Sequence, residues 1–140
     1  MKFLHVAGAL LLTLTVAACG SLSLTGTPET ATSLNGFRAS QGLSQLRIDG
    51  TLAALAAEHS ADMARRDSLD HDGFMTSRGP RGARAENVAY GCRESACVIQ
   101  QWINSSGHRK NMLIPSLTRY GLASAMSPSG RSYWTLLVGE

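Results

Sequence analysis

Two histidines and a glutamate, His71, Glu86 and His108, are side chains of the types that do chemistry. Two neutral imidazoles and a carboxylate suit a zinc ion that keeps one coordination position open for water. Glu86 is the member of the three able to draw a proton from such a water. The three lie far apart in the chain, so spacing alone does not join them. A blander reading stands beside the catalytic one: a polar cluster that satisfies buried hydrogen bonds and positions a loop. No HExxH, G-x-S-x-G, phosphate-binding loop or GxGxxG motif is present to fix another chemistry.

Whether these residues meet depends on the elements that carry them. His108 follows WINSSG directly. The segment from Ser95, with Val98, Ile99, Trp102 and Ile103 on one face, predicts a helix that Gly107 stops. His108 is then expected at a helix C-terminus, where the dipole favours imidazolium over the neutral form a metal needs, while Arg109 and Lys110 repel the proton. His71 lies inside DSLDHDGFMTSRGPRGARA, a stretch without periodicity, punctuated by glycine, proline and arginine, which reads as a surface loop of a length that tends to be functional or disordered.

An earlier helix is better defined. Asp49 can cap it, and Leu52, Leu55, Ala56, His59 and Met63 follow at helical spacing, so His59 reads as a hydrogen-bonded core histidine rather than a ligand. Before it, Thr27-Pro28-Glu29 has the chemistry of a helix start, Leu34 and Phe37 give an inner face, and Gly42 ends the element. After Pro115, TRYGLASAM and RSYWTLLVG flank the turn SPSG and predict a hairpin. Three helices and a C-terminal hairpin, without βαβ alternation, suggest an α+β sandwich.

The N-terminus carries the clearest targeting signal. Lys2 precedes the apolar run FLHVAGALLLTLTVAAC, the layout of a secretory signal peptide over residues 1–18. Val16-Ala17-Ala18-Cys19 resembles a bacterial lipobox, which would place a diacylglycerol on Cys19. A plain cleaved signal and a retained anchor helix are the alternatives. Residues 19–33, rich in serine and threonine, read as a flexible tether. Cys92 and Cys97 remain as an even pair in an oxidising compartment, which favours a disulfide over a ligand-poor zinc site. The formal net charge of +3 comes from residues spread along the chain without a basic stripe or interleaved aromatics, which excludes a nucleic-acid binder.

Four stretches in order, LNGFRASQGLSQLRIDGTLAALAAEHSADMARRDSLDH, AENVAYG, QQWINSSGHRKNMLIPSLTRYGLASA and YWTLLVG, resemble a bacterial member of the CAP superfamily. This superfamily of cysteine-rich secretory, antigen 5 and pathogenesis-related class one proteins shares an SCP-like domain. The resemblance spans residues 34–140 and implies an α-β-α sandwich, an antiparallel sheet between helical layers. It also implies a cleft with two histidines and two glutamates, able to hold a divalent cation such as zinc. By motif, His71 in LDHDGF and His108 in SGHRKNML are the metal-binding histidines. Glu86 in AENVAYG is the first glutamate, although Ala85 replaces the usual preceding glycine. The second glutamate's place, three residues after the tryptophan, holds Ser105, so the cleft loses a carboxylate and any zinc is expected to bind weakly.

The expected function is that of a secreted, lipid-anchored module of the cell envelope. It is tethered to the membrane through Cys19, and its cleft takes a lipid, cell-wall fragment or protein. The alternative is a zinc-assisted, peptidase-like hydrolase with Glu86 as general base. The missing glutamate and the lack of a nucleophile–base pair favour the binding module.

Overall fold

A computed structural model describes residues 33–140. The signal peptide, Cys19 and nearly all of the tether lie outside these residues, as do Thr27-Pro28-Glu29. The first described helix, α1 (Leu34–Ser40), is capped by the Ser33 side chain, which accepts from the Gly36 N–H at 2.9 Å. It buries Leu34 and Phe37, the inner face read from the sequence.

After β1 (Arg47–Ile48) comes the long helix α2 (Gly50–Arg66). The Asp49 carboxylate caps it by accepting from the Leu52 N–H, and it buries Leu52, Leu55, Ala56, His59 and Met63 along one stripe. Asp67 closes it in the left-handed conformation, φ 49°. That strained residue is held from the sheet side, because the Tyr133 hydroxyl donates to its carboxylate at 2.8 Å and the Ser129 hydroxyl at 3.0 Å.

The loop that follows is not wholly irregular. A five-residue π-helical turn, Phe74–Arg78, sits in its middle, entered through Gly73 at φ 76°. The chain then forms β2 (Ala85–Tyr90), two helices α3 (Ser95–Asn104) and α4 (Ser106–Met112), and the hairpin β3 (Arg119–Met126) and β4 (Ser132–Gly139). The expected disulfide is formed, linking Cys92 and Cys97 across a Cα separation of 5.6 Å at the start of α3.

The four strands make one sheet in the order β1-β3-β4-β2, with β2 and β3 both antiparallel to the central β4 and only the two-residue β1 parallel. Every residue of β4 is buried, which requires cover on both faces. On one face Trp134, Leu136 and Val138 join Leu34, Phe37, Val98, Ile99, Trp102 and Met112 from α1, α3 and α4. On the other, Leu137 packs with Leu52, Leu55 and Ala56, and Tyr133 with Met63 and Ala64, all from α2. The molecule is therefore an α-β-α sandwich. Contact is closest at Gly121, where a Cβ atom would stand 2.2 Å from the Ala53 nitrogen and from the Leu52 carbonyl carbon. Only glycine lets the first turn of α2 rest on the backbone of β3. Among the described residues no helix is long and apolar enough to cross a membrane.

Candidate functional site

Strand β2 is one margin of the sheet and carries the centre of the site. Alternation along it sends the Glu86 side chain toward the α2 face, whereas Asn87 turns toward α4. Glu86 is 6% exposed, and its charge is fully engaged. Arg78, itself buried, donates from Nε to Oε2 and from Nη2 to Oε1, the latter at 2.9 Å. His71 Nδ1 lies 2.8 Å from Oε1, and His59 Nε2 approaches the same oxygen to 4.0 Å.

Arg78 also ties down the loop. Its Nη1 donates to the Asp72 carbonyl at 2.8 Å, so one guanidinium holds both the carboxylate and the backbone beside His71. His59 contributes as well, with Nε2 3.0 Å from the Asp70 carbonyl. The expected hydrogen-bonded core role of His59 is what the structure shows, but its place beside Glu86 has no signal in the sequence. Arg78 is absent from the sequence reading altogether. Nothing in a loop rich in arginine marks the one that turns inward, except that Glu86 needs a cation if it is to be buried.

On the other side of β2 the helix geometry differs from expectation. The break comes at Ser105, in an extended conformation (φ −99°, ψ 121°), which ends α3 and opens α4. Gly107 lies inside α4, and His108 sits in its first turn. The expected dipole effect is thereby reversed, since a first-turn position faces the positive end of a dipole and disfavours imidazolium. The His108 pKa is held below the ordinary imidazole value, first because burial penalises the charged ring and second because His71 is near enough for its charge to repel a proton.

A chain of amides braces α4 against the strand. Asn87 Nδ2 donates to the His108 carbonyl at 3.0 Å, and Asn111 Nδ2 reaches both the Glu86 carbonyl at 3.1 Å and Asn87 Oδ1 at 2.9 Å. Trp102 Nε1 donates to the Val88 carbonyl at 3.2 Å, and its ring lies 6.4 Å from that of His108. The two polar carbonyls on the outer edge of β2 are thus covered by side chains. Beside them opens a hollow of about 280 Å³, bounded by Leu69, Tyr90, Gln101, Trp102, Ser105 and His108. Ser105, in the place where the sequence resemblance anticipates a second glutamate, contributes no carboxylate to this wall.

For a metal the donor set is limited. Among the described residues no three side chains of His, Cys, Asp or Glu are grouped to hold an ion. The Glu86 oxygens face a guanidinium, which leaves the Nε2 atom of His71 and the ring of His108 as candidates. Two imidazoles fit a loosely held ion completed by water and do not fit a resident four-ligand zinc.

This sandwich, with an imidazole–carboxylate corner on one margin of the sheet, defines a CAP domain. The chain belongs to the cysteine-rich secretory protein (CAP) family, whose profile matches residues 32–138. It is 37% identical over 110 residues to the uncharacterized protein YkwD of Bacillus subtilis, a match covering 72% of this chain and 42% of the relative, so the chain spans less than half of that protein. Among solved structures, an outer surface protein of Borrelia burgdorferi superposes with a TM-score of 0.64 at 19% identity, covering 76% of this chain and 86% of that one, which shows the shared fold. An extracellular protein containing an SCP domain from Bacillus anthracis matches at 26% identity with a TM-score of 0.55, over 74% of this chain and 37% of that one.

Proposed function

We propose that this protein is an exported surface module that binds rather than transforms its ligand, seated in the hollow between β2, α3 and α4. The observation that carries this reading is the state of Glu86. Its two oxygens are taken up by Arg78 and His71 in a buried corner, so it has no lone pair directed at a water in the hollow. A carboxylate whose oxygens are occupied by a guanidinium and an imidazole is not placed to take a proton from a water in the hollow, which counts against the hydrolytic alternative. The walls suit a small amphipathic ligand such as a cell-wall fragment or lipid headgroup. Tyr90 and Leu69 offer exposed apolar surface, while Gln101, Ser105 and a neutral His108 offer hydrogen bonds. Export agrees with the signal-like leader, with the Cys92–Cys97 disulfide and with relatives named as outer-surface and extracellular proteins. Cys19 is the proposed lipid attachment point that keeps the module at the envelope.

A divalent cation such as zinc would be held by His71 and His108 alone, weakly and with proton competition. Calorimetry should give micromolar or poorer zinc uptake, as expected for roughly two ligands, abolished by His71→Ala or His108→Ala. Identical uptake by the wild type and both variants would remove the ion from the site. The binding reading itself is tested with cell-wall fragments and peptides. NMR shifts should concentrate on Tyr90, Gln101 and Ser105, with no turnover by either the wild type or Glu86→Gln. Turnover lost specifically in a well-folded Glu86→Gln protein would reinstate the hydrolase.

A further inference from the structure

Beside the side chains that wall the hollow runs a free length of strand edge. The Gly91 N–H donates to the Ser132 carbonyl at 2.9 Å, and the register pairs Tyr90 with Tyr133 and Val88 with Thr135. This phase turns the backbone groups of Asn87, Ala89 and Gly91 toward β4 and those of Glu86, Val88 and Tyr90 away from the sheet. Two of the outward carbonyls have partners, since Asn111 Nδ2 donates to that of Glu86 and Trp102 Nε1 to that of Val88. The Val88 N–H, the Tyr90 N–H and the Tyr90 carbonyl have none among the described residues.

Val88 and Tyr90 both border the hollow of about 280 Å³. Two donors and an acceptor, set out along one strand edge, are the complement of another extended backbone. Alternate residues of a strand stand about 6.6 Å apart, so a paired segment meets Val88 and Tyr90 with every second residue. A sugar or a lipid headgroup has no repeat of donor and acceptor at that interval.

The free edge is short. The Trp102 indole occupies the Val88 carbonyl, which stops an added strand there and leaves Tyr90 as the one residue able to exchange both bonds. Alternation then sorts the side chains. A peptide residue directly opposite Tyr90 sends its side chain to the same face as the Tyr90 ring, where Leu69 is 40% and Tyr90 47% exposed. That ring is already supported, with the Tyr133 ring centred 6.0 Å away and the Arg131 guanidinium 5.0 Å away, which lowers the ordering cost of binding. The next peptide residues turn to the opposite face, toward Gln101 and Ser105.

We propose that the ligand of this hollow is an extended peptide that adds antiparallel to the β2 edge at Tyr90. It places an apolar side chain against Leu69 and Tyr90 and small polar ones toward Gln101 and Ser105. Such binding rests on the hollow being the ligand site, and it narrows that ligand to a peptide backbone. Recognition is strand addition, in which main-chain bonds supply affinity and alternate side chains supply selectivity.

Amide NMR on the full chain in detergent micelles tests this with a mixture of capped tripeptides, leucine at the centre and serine or alanine on either side. The same mixture N-methylated at the central leucine is the control, because it keeps every side chain but cannot donate to the Tyr90 carbonyl. With peptide at about ten times its dissociation constant, the Tyr90 and Val88 amides should exchange about 10-fold more slowly. The N-methylated peptides should give no such protection. The Ala89 and Gly91 amides, directed at β4, should exchange at one rate throughout, showing that the sheet is unchanged. Equal protection by the N-methylated peptides would overturn strand addition. So would shifts at Gln101 and Ser105 with an N-acetylated disaccharide or glycerol phosphate when the tripeptides move nothing. Either result leaves the hollow a binding site for another ligand. Shifts at none of Tyr90, Gln101 and Ser105 with millimolar amounts of all three probes would remove the hollow itself as the site.

Discussion

The two faces of β2 solve the problem of a buried polar group in opposite ways. On the α2 face, Glu86 is surrounded: Arg78, His71 and the nearby His59 converge on one carboxylate. On the α4 face, His108 is fixed only through its backbone, by Asn87 and through the neighbouring Asn111, and its half-buried ring borders an open hollow. The first corner is a lock that holds the long loop in place. The second is an open margin, the seat of the proposed ligand, where polar groups line the hollow. The domain thus separates a closed polar corner from an open polar hollow across the thickness of one strand.

The largest effect that would break this contrast is loss of the lock. Glu86→Ala leaves the Arg78 guanidinium buried without a counter-charge and should cost about 3–5 kcal/mol, read as a lower urea midpoint. If the cost is below about 1 kcal/mol, the corner is solvated and the contrast fails. Next comes the brace on the other face. Asn111→Ala strands the Glu86 carbonyl and Asn87 Oδ1 and should cost about 1–3 kcal/mol. It should also move the NMR signals of the His108 ring while leaving those of His71 in place.

The pH dependence is smaller and has a definite sign. His108 has a folded pKa depressed below its ordinary value of 6.5, so the unfolded chain takes up the proton first. Stability should be unaffected by this group well above that value and should fall as pH drops through and below it. In His108→Gln this part of the acid-side decline should vanish from thermal melts run between about pH 7.5 and 5. The smallest change is expected from His71→Ala, because that ring is 55% exposed. Its bond to Glu86 should be worth about 1 kcal/mol or less, while Arg78 continues to hold the carboxylate. A loss larger than that of Asn111→Ala would make His71 a principal support of the lock and not a minor one.

Much of the fold is legible in the sequence because its signals are local. Asp49 before an apolar stripe predicts α2, the SPSG turn predicts the hairpin, and paired cysteines in an exported chain predict the bridge. Strand β2 has no periodic signal of its own, since five of its six residues are buried and alternation is lost when both faces are covered. Strand β1, two exposed residues long, has no pattern to read. Glycine is the strongest terminator in WINSSGHRK, which is why the expected helix break falls at Gly107. The chain instead turns at Ser105, whose carbonyl accepts from the Arg109 N–H at 2.8 Å to start α4. Of the site, residue types and motifs single out His71, Glu86 and His108. Arg78 escapes them, because the charge that Glu86 requires becomes evident only when its burial is known.

Gly121 touches none of the site residues, yet it sets the height at which α2 rides over the sheet. Any side chain there would lift the helix, carrying His59 and its hold on the Asp70 carbonyl away from the carboxylate below. A screen for lost ligand recognition should therefore return residue 121 among its strongest hits. Such a hit would report on the seating of a helix and not on contact with anything bound.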